Sequence, residues 1–189
     1  MKTTRSIAFV ALFTAILCVL APISIPIQPV ALTLATLAVY IIGALLDFVK
    51  APICVILYIV IGVIGVPVFS NYQSGPAVLT GLTGGFIWGY ILGVFVESLL
   101  VTWKKDKIWM YPVAMVAGTF FIYAFGLAWF MIAYQNVKGT SISFVAALSS
   151  CVIPFLAWDA AKIVIATLVT MKLRKPLDKV LMVPTREKA

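Results

Sequence analysis

The sequence contains no histidine and few charged residues. Lysine, arginine, aspartate and glutamate make up 11% of its 189 residues, whereas soluble proteins carry about 25%. Hydrophobic residues make up 63%, so the composition predicts an integral membrane protein. The absence of histidine removes the commonest general base and metal ligand, which argues against hydrolytic or metal-dependent chemistry.

Cysteine is scarce as well. Cys18, Cys54 and Cys151 lie far apart within apolar sequence, without the spacing of a metal site, and their odd number argues against a disulfide framework. A Walker-type phosphate loop is also missing, because Gly84-Gly85 is not followed by Lys-Ser or Lys-Thr. The sequence therefore predicts no cofactor and no ATP hydrolysis by this chain. Any energy that the protein uses must then come from an ion gradient or from partner proteins.

Apolar segments predict an all-α fold, an integral membrane bundle of six transmembrane helices. The basic start of the first segment resembles a signal peptide, but no convincing cleavage site follows it, and we interpret it as a membrane span. The proline-rich link 22–29 cannot be the interior of a helix. We expect one membrane domain over 1–189, with spans at about 7–21, 30–48, 51–66, 85–103, 109–134 and 154–173.

The basic residues predict how the spans are oriented. Twelve of the fourteen lie next to the spans in four clusters: Lys2 with Arg5; Lys50; Lys104, Lys105 and Lys107; and the six within 172–188. Because basic residues favour the cytoplasmic side, both termini are expected in the cytoplasm of a cell whose plasma membrane holds the chain. The links on the other side then contain one basic residue, Lys138.

Glycine is concentrated in one segment, Gly65–Gly93, which a polar stretch at 70–74 interrupts. Eight of the twelve glycines lie between Gly62 and Gly93. Irregular backbone at membrane depth occurs only where it is buried in protein or lines a wet cavity. We interpret the segment as the roof and one wall of a small-molecule site on the outer side. A long solvated loop is the alternative.

Two charged residues lie within the sixth predicted span. Asp159 and Lys162 are three residues apart, so they share one helix face. A charge at membrane depth costs roughly 2.5–3.5 kcal/mol on insertion scales, so it needs a partner or a wet cavity. The pair is either a self-neutralising structural contact or the polar part of a solute site. We favour the solute site.

Several uncharged residues are further candidates for binding a ligand. Asn71 and Tyr72 supply donors and acceptors in the polar stretch, although a solvated loop tip explains them equally well. Four aromatic residues could stack on a ring-shaped ligand, but membrane aromatics more often anchor helices at the interface or pack between them. These four are Phe69, Trp88, Tyr90 and Trp158.

Small residues recur on the first span. Ala8, Ala11 and Ala15 are spaced three and four residues apart and lie on one helix face. Small residues at this period let membrane helices approach closely. The face either packs within the bundle or docks a second membrane protein.

Three motifs and the six short spans together resemble BioY, the biotin-specific substrate-binding (S) component of energy-coupling factor (ECF) vitamin transporters. The motifs are Gly65-Val66-Pro67-Val68-Phe69, Gly81-x-Thr83-Gly84-Gly85 and Asp159-x-x-Lys162. The resemblance covers essentially the whole chain. It implies a bacterial subunit that captures biotin with high affinity on the outer side, and it adds Thr83 and Gly84 to the candidate binding residues.

The resemblance also implies partners and a docking face. A BioY subunit works with a transmembrane coupling subunit and two cytoplasmic ATPases, and Ala11 and Ala15 match the Ala-x-x-x-Ala pattern that docks the coupling subunit. Leu82 and Phe86 depart from the family pattern, where proline and tyrosine are usual, and the polar stretch at 70–74 replaces a glycine-rich run.

Biotin chemistry suits these residues. Asp159 could accept hydrogen bonds from the ureido N–H groups, with Asn71 adding an amide contact, and Lys162 could meet either the carboxylate or the ureido carbonyl. Three alternatives stay open: an S component for thiamin or riboflavin, a membrane-embedded enzyme such as a lipid transferase, and a purely structural membrane partner.

Overall fold

The computed structural model describes residues 2–27, 30–104 and 107–181. These residues form eight α-helices, one two-stranded antiparallel sheet and a short 3-10 turn at Ser70–Tyr72. The helices are α1 (Lys2–Leu20), α2 (Ala35–Leu45), α3 (Lys50–Val63), α4 (Pro76–Thr80), α5 (Gly84–Trp103), α6 (Met110–Lys138), α7 (Phe144–Cys151) and α8 (Ile153–Leu181). The strands are β1 (Ser24–Ile25) and β2 (Leu32–Thr33). Lys105 and the part of the basic C-terminal cluster beyond 181 lie outside the described residues.

Three helical segments are long and apolar enough to cross a membrane. They are Gly84–Trp103, Met110–Lys138 and Phe144–Arg174, the last of which includes α7. α1, α2 and α3 are apolar but shorter. The 11 residues of α2 rise about 16 Å, roughly half of the ~30 Å hydrocarbon core of a bilayer.

The second predicted span differs from the structure at its start. We predicted a helix from residue 30, whereas α2 begins at Ala35. The residues before it pair with the chain that follows α1, with Ser24 opposite Thr33 and Ile25 opposite Leu32. Prolines in the link prevent a helix there, so a hairpin satisfies the backbone hydrogen bonds instead. The fold is therefore mostly helical rather than strictly all-α.

The fifth and sixth predicted spans end earlier than the helices do. α6 continues to Lys138 and stops at Gly139, whose left-handed φ of 70° suits a helix C-cap. α8 continues to Leu181. Hydropathy marks where apolar sequence ends, whereas helical hydrogen bonding continues into polar sequence, so the two boundaries differ.

Glycines allow α5 and α6 to pack closely. A Cβ added at Gly85 would lie 2.2 Å from Cβ of Trp129, and one added at Gly93 would lie 2.9 Å from the carbonyl oxygen of Gly118. Small residues at such contacts bring membrane helices together. Much of the predicted glycine-rich wall thus forms a helix–helix contact, and Gly65 and Gly75 supply the positive φ angles of the preceding loop.

The two ends of the bundle differ in charge. One end, which we call the hairpin end, carries β1, β2 and the 3-10 turn, where Ser24 is hydrogen-bonded to Asn71. The chain reverses between successive long helices, with α7 and α8 continuing as one segment, which brings the described basic clusters to the opposite end, here called the basic end. That end holds Arg5, Lys50, Lys104, Lys107, Lys172 and Arg174.

Candidate functional site

A buried polar cluster lies at the hairpin end, where α8 packs against α2 and α6. Lys162 donates hydrogen bonds from Nζ to Asp159 Oδ1 and to Thr36 Oγ1, both at 2.8 Å. The Thr36 hydroxyl also lies 2.9 Å from Asp159 Oδ1. The hydroxyl of Tyr123 donates to the second carboxylate oxygen, Oδ2. Four side chains from three helices therefore form one network.

The charged pair is almost fully removed from the surface, with Asp159 4% and Lys162 6% exposed. Their one-turn spacing on α8 forms an ion pair without help from the rest of the fold. Burying an ion pair is favourable only when further hydrogen bonds satisfy both charges. Thr36 and Tyr123 supply those hydrogen bonds, so the pair is part of a network that α2 and α6 complete.

A small cavity adjoins this network. It has a volume of about 40 Å³, which is room for only a few water molecules. Its walls come from the β2 region, α2, α5, α6 and the α7–α8 junction. The lining residues are Val30, Ala31, Thr33, Thr36, Phe86, Tyr90, Ile122, Tyr123, Cys151, Phe155, Asp159 and Lys162.

A larger apolar cleft runs along the other side of the network, between α6 and the α7–α8 segment. Its volume is about 810 Å³. Tyr123 and Asp159 border both this cleft and the small cavity. Most of the remaining lining is aliphatic or aromatic, including Phe120, Leu127 and Leu156. The carboxylate of Asp159 thus lies between the small cavity and the apolar cleft.

The structure brings one of the four predicted aromatic residues to the small cavity. Tyr90 lines it, from α5. Phe69 is fully buried and packs edge-on against Tyr58, with ring centroids 5.5 Å apart, so it belongs to the core. Trp88 and Trp158 are 37% and 52% exposed and line neither space.

Asn71 and Tyr72 lie in the 3-10 turn and line neither the small cavity nor the apolar cleft. Both have positive φ angles, 55° and 58°, a conformation that is uncommon for a residue as bulky as tyrosine. The backbone N–H of Asn71 donates to Ser24 Oγ at 2.9 Å, which ties the turn to β1. The Tyr72 side chain is 68% exposed.

Thr83 and Gly84 start α5 and also lie outside the cavity lining. A Cβ at Gly84 would lie 2.0 Å from the carbonyl oxygen of Leu79, so this glycine permits the tight turn between α4 and α5. The indole N–H of Trp129 donates to the carbonyl of Gly81 at 3.0 Å and holds the same turn against α6.

Sequence reasoning missed Thr36 and Tyr123. Each is a polar residue within an apolar span, a position that usually faces the interior of a bundle. That signal alone does not separate them from other such residues, for example Thr119 and Tyr40, which are hydrogen-bonded to each other at 2.6 Å. Only the packing of α2 and α6 against α8 identifies which hydroxyls reach the Asp159–Lys162 pair.

The alanines of the first helix lie on its free face. Ala8, Ala11 and Ala15 are exposed, whereas Phe13 and Leu17 on the opposite side are buried in the core. The small-residue face is therefore not used for packing within the described part of the bundle.

Comparison with known proteins gives a family and close relatives. The sequence model of the BioY family matches residues 1–179. The chain is 36% identical over 172 residues to the biotin transporter BioY of Thermotoga maritima, covering 90% of this chain and 96% of that protein. It is 30% identical over 177 residues to the biotin transporter BioY of Rhizobium etli, covering 88% and 91%.

The fold also matches a solved structure. The crystal structure of the S-component for biotin from an ECF-type ABC transporter superimposes with a TM-score of 0.82. The match covers 92% of this chain and 93% of the other, at 21% sequence identity. The helical arrangement described above is therefore that of an ECF S component.

Proposed function

The chain belongs to the BioY family, and from this premise we propose that it is the substrate-binding S component of an ECF-type transporter, which captures biotin with high affinity. Its relatives are named as transporters, and its long apolar helices are those of a membrane protein. The observation that supports biotin capture most directly is the buried Asp159–Lys162 pair, held by hydrogen bonds beside a cavity.

The pair suits the two polar ends that biotin offers. A carboxylate can accept hydrogen bonds from both ureido N–H groups, and an ammonium can donate to the ureido carbonyl or to the tail carboxylate. In a water-excluded site these hydrogen bonds are stronger than in bulk solvent. Tyr90 and Phe86, which line the cavity from α5, supply ring surface for the bicycle.

Biotin entry requires the cavity to widen. A volume of about 40 Å³ falls far below the roughly 300 Å³ of small ligand sites. The lining residues Val30, Ala31 and Thr33 come from the hairpin segment, and movement of that segment would enlarge the cavity without breaking the network on α8. Asn71, bonded to Ser24, would move with it and reach the ligand, as would Tyr72.

The same proposal retains Thr83, Gly84, Trp88 and Trp158 as groups around the entrance rather than at the base of the site, and Phe69 as a core residue behind it. Phe69 and Gly84 would act by shaping the loop between α3 and α5. Trp88 and Trp158 are exposed near the hairpin end and suit an interfacial position.

For the membrane arrangement we propose a single domain with six spans and both termini in the cytoplasm of a bacterial cell. The collection of described basic residues at one end of the bundle supports this, because such residues favour the cytoplasmic side. The hairpin end, and with it the Asp159 network, then faces outward.

For partners we propose a transmembrane coupling subunit and two cytoplasmic ATPases. The exposed face of Ala8, Ala11 and Ala15 on α1 would dock the coupling subunit, since small residues let a second helix approach closely. No cofactor is involved, and biotin is bound as the transported substrate.

The proposal is tested by titrating the purified protein with biotin and comparing two variants that make the same chemical change. Asp159→Asn removes the charge next to the cavity, and Asp47→Asn removes a charge at the basic end. Because hydrogen bonds to charged groups contribute about 1.5–3 kcal/mol, we expect Asp159→Asn to weaken binding by about 10- to 100-fold. Asp47→Asn is expected to leave the affinity within about twofold of wild type.

Folded Asp159→Asn protein that binds biotin as tightly as wild type would contradict the site assignment. Wild-type protein that ignores biotin but binds thiamin or riboflavin would instead identify an S component for another vitamin. Turnover of a lipid substrate would favour the enzyme alternative.

A further inference from the structure

Glu97 on α5 is a second buried acid, and it differs from Asp159 in having no partner. Its side chain is 0% exposed. Neither carboxyl oxygen has a hydrogen-bond partner among the described residues. Asp159, by contrast, accepts hydrogen bonds at both oxygens. The proposed capture of biotin does not use Glu97.

Glycines on two neighbouring helices enclose the Glu97 side chain. A Cβ added at Gly43 on α2 would lie 2.6 Å from the carboxyl carbon and 2.7 Å from Oε2. A Cβ added at Gly118 on α6 would lie 3.4 Å from Cβ of Glu97. The carboxyl group therefore occupies a closed slot where α2, α5 and α6 approach one another, and a larger residue at Gly43 would displace it.

The helices around α5 bring no described charge that compensates Glu97. From α2, the titratable neighbour is Tyr40, whose hydroxyl is hydrogen-bonded to Thr119. At the basic end, Lys50 is bonded to Asp47.

Among the described residues, none of the other titratable groups on the neighbouring helices is hydrogen-bonded to the Glu97 carboxyl group. Arg174 on α8 donates from Nη1 to the carbonyl of Ala44 at 2.6 Å, next to Gly43. The remaining titratable side chains on α3 and α6 are Cys54, Tyr58, Tyr111, Tyr123, Tyr134 and Lys138.

We propose that Glu97 is an intramembrane proton-binding site, occupied by a proton when α2 is closed against α5 and α6. An ionised carboxylate in this slot would be a fully buried charge without a hydrogen bond or a cation, which is among the most unfavourable arrangements in a protein. A protonated carboxyl removes the charge, and the small glycine-lined slot holds the neutral group. Intramembrane acids of this kind are functional sites far more often than structural ones.

The proton site is mechanically linked to the Asp159 network through α2. Gly43 encloses Glu97 at one part of this helix, and Thr36, two turns earlier, is hydrogen-bonded to Asp159 and Lys162. Loss of the proton would place a charge in the slot between α2, α5 and α6. This charge would push α2 away from α5 and disturb the hydrogen bonds of Thr36. This link rests on the proposed function, whereas the proton site itself does not.

Infrared difference spectroscopy tests the proton site directly. The chain contains two glutamates, Glu97 and Glu187, so protein made with carboxyl-¹³C-glutamate reports on these two groups alone. We expect a carbonyl band of a protonated carboxyl, in the wild type at neutral pH, that shifts with the label. The band should persist in Glu187→Gln and disappear in Glu97→Gln.

Absence of a label-sensitive carboxylic band in folded wild-type protein overturns the proposal, as does its loss in Glu187→Gln. Because Glu97 is the one labelled glutamate left in Glu187→Gln, the test survives even if Glu97→Gln fails to fold. It also needs no ligand, so failure of biotin binding would count against the proposed function and not against this site.

The link to the ligand site is tested by measuring biotin affinity in increasingly alkaline buffers. We expect the wild-type affinity to fall further than that of Glu97→Gln, which mimics the protonated acid permanently. Ser98→Ala is the matched control, because Ser98 is equally buried on α5 but donates to the carbonyl of Val94 at 2.6 Å. If the biotin affinity of wild type and that of Glu97→Gln fall by the same factor as the pH rises, the link is overturned.

Discussion

At the residue scale, two neutral hydroxyls decide what the Asp159–Lys162 pair can do. An ion pair one turn apart on a helix satisfies itself when it is exposed, but a buried pair needs further hydrogen bonds. Thr36 donates one to Asp159 and accepts one from Lys162, and Tyr123 donates one from α6. The network fixes the carboxylate in a position from which a ligand donor can replace a protein donor.

The contribution of Tyr123 is measurable by removing its hydroxyl. Tyr123→Phe leaves Asp159 Oδ2 without its donor, and an unsatisfied buried acceptor costs about 1–3 kcal/mol. We expect unliganded Tyr123→Phe to lose stability of that size in reversible unfolding in mixed micelles. Biotin should recover part of the loss, because its ureido N–H groups can take the vacant acceptor.

Tyr72→Phe is the control for this measurement, since the Tyr72 side chain is 68% exposed and its stability should match that of wild type. Equal stability of Tyr123→Phe and wild type would show that the hydroxyl of Tyr123 does not support the network.

The lowered pKa of Asp47, which lies between α2 and α3, predicts that the stability of the fold depends on pH. Burial opposes its charge, but hydrogen bonds from the Lys50 side chain and backbone and from the Val49 backbone, with the charge of Lys50, outweigh this and lower the pKa of Asp47 from 3.8. Because the unfolded chain takes up this proton more readily, the contribution of Asp47 is fully present above the unfolded pKa. It is lost as the pH falls through the lower, folded pKa.

Unfolding measured at falling pH checks this. Wild-type stability should decline as the pH drops below about 5, with a smaller decline in Asp47→Asn and in Lys50→Met. A decline of the same size in all three proteins would mean that other carboxyl groups account for it.

At the element scale, α1 has one buried face and one exposed face. Phe13, Thr14 and Leu17 are buried against the bundle, and Thr14 donates to the carbonyl of Cys54 on α3. The alanine face is exposed. A helix of small residues with a free face can accept a partner helix at close range, whereas bulky substitution there leaves the bundle itself intact.

Ala11→Trp and Ala15→Trp separate docking from binding. We expect biotin affinity within about twofold of wild type, since the face does not touch the core. Uptake by cells that express the full transporter should fall to background. Val113→Trp, at a 48% exposed position on α6, is the control and should retain uptake. Loss of biotin binding in the alanine variants would show that the face packs inside the protein.

At the scale of the whole molecule, the bundle combines long and short helices that have different structural roles. Gly84–Trp103, Met110–Lys138 and Phe144–Arg174 are long enough to cross a bilayer. The shorter α2 and α3 bring polar and small residues to the interior. A short α2 also leaves room at the hairpin end for the two-stranded sheet, which closes the cavity from above.

A reporter fusion tests the orientation of the whole molecule. We expect a fluorescent protein that matures only in the cytoplasm to be bright when fused to the C-terminus. Alkaline phosphatase at the same position should be inactive. An active phosphatase would reverse the assignment and place the Asp159 network on the cytoplasmic side.

Much of this protein follows from the sequence without a structure. Apolar runs predict helices, because backbone groups in lipid must bond within their own segment. The family resemblance rests on short motifs whose members are close in sequence, and comparison with known proteins confirms it. The spacing of Asp159 and Lys162 likewise predicts their contact, since three residues make nearly one helical turn.

The tertiary structure alone decided which residues complete the site. Thr36 and Tyr123 lie 123 and 36 residues from Asp159, and no local pattern relates positions so far apart. It also decided that Glu97 is enclosed by glycines of two other helices, Gly43 on α2 and Gly118 on α6. Local spacing determines contacts within a helix, whereas contacts between helices depend on how whole elements pack.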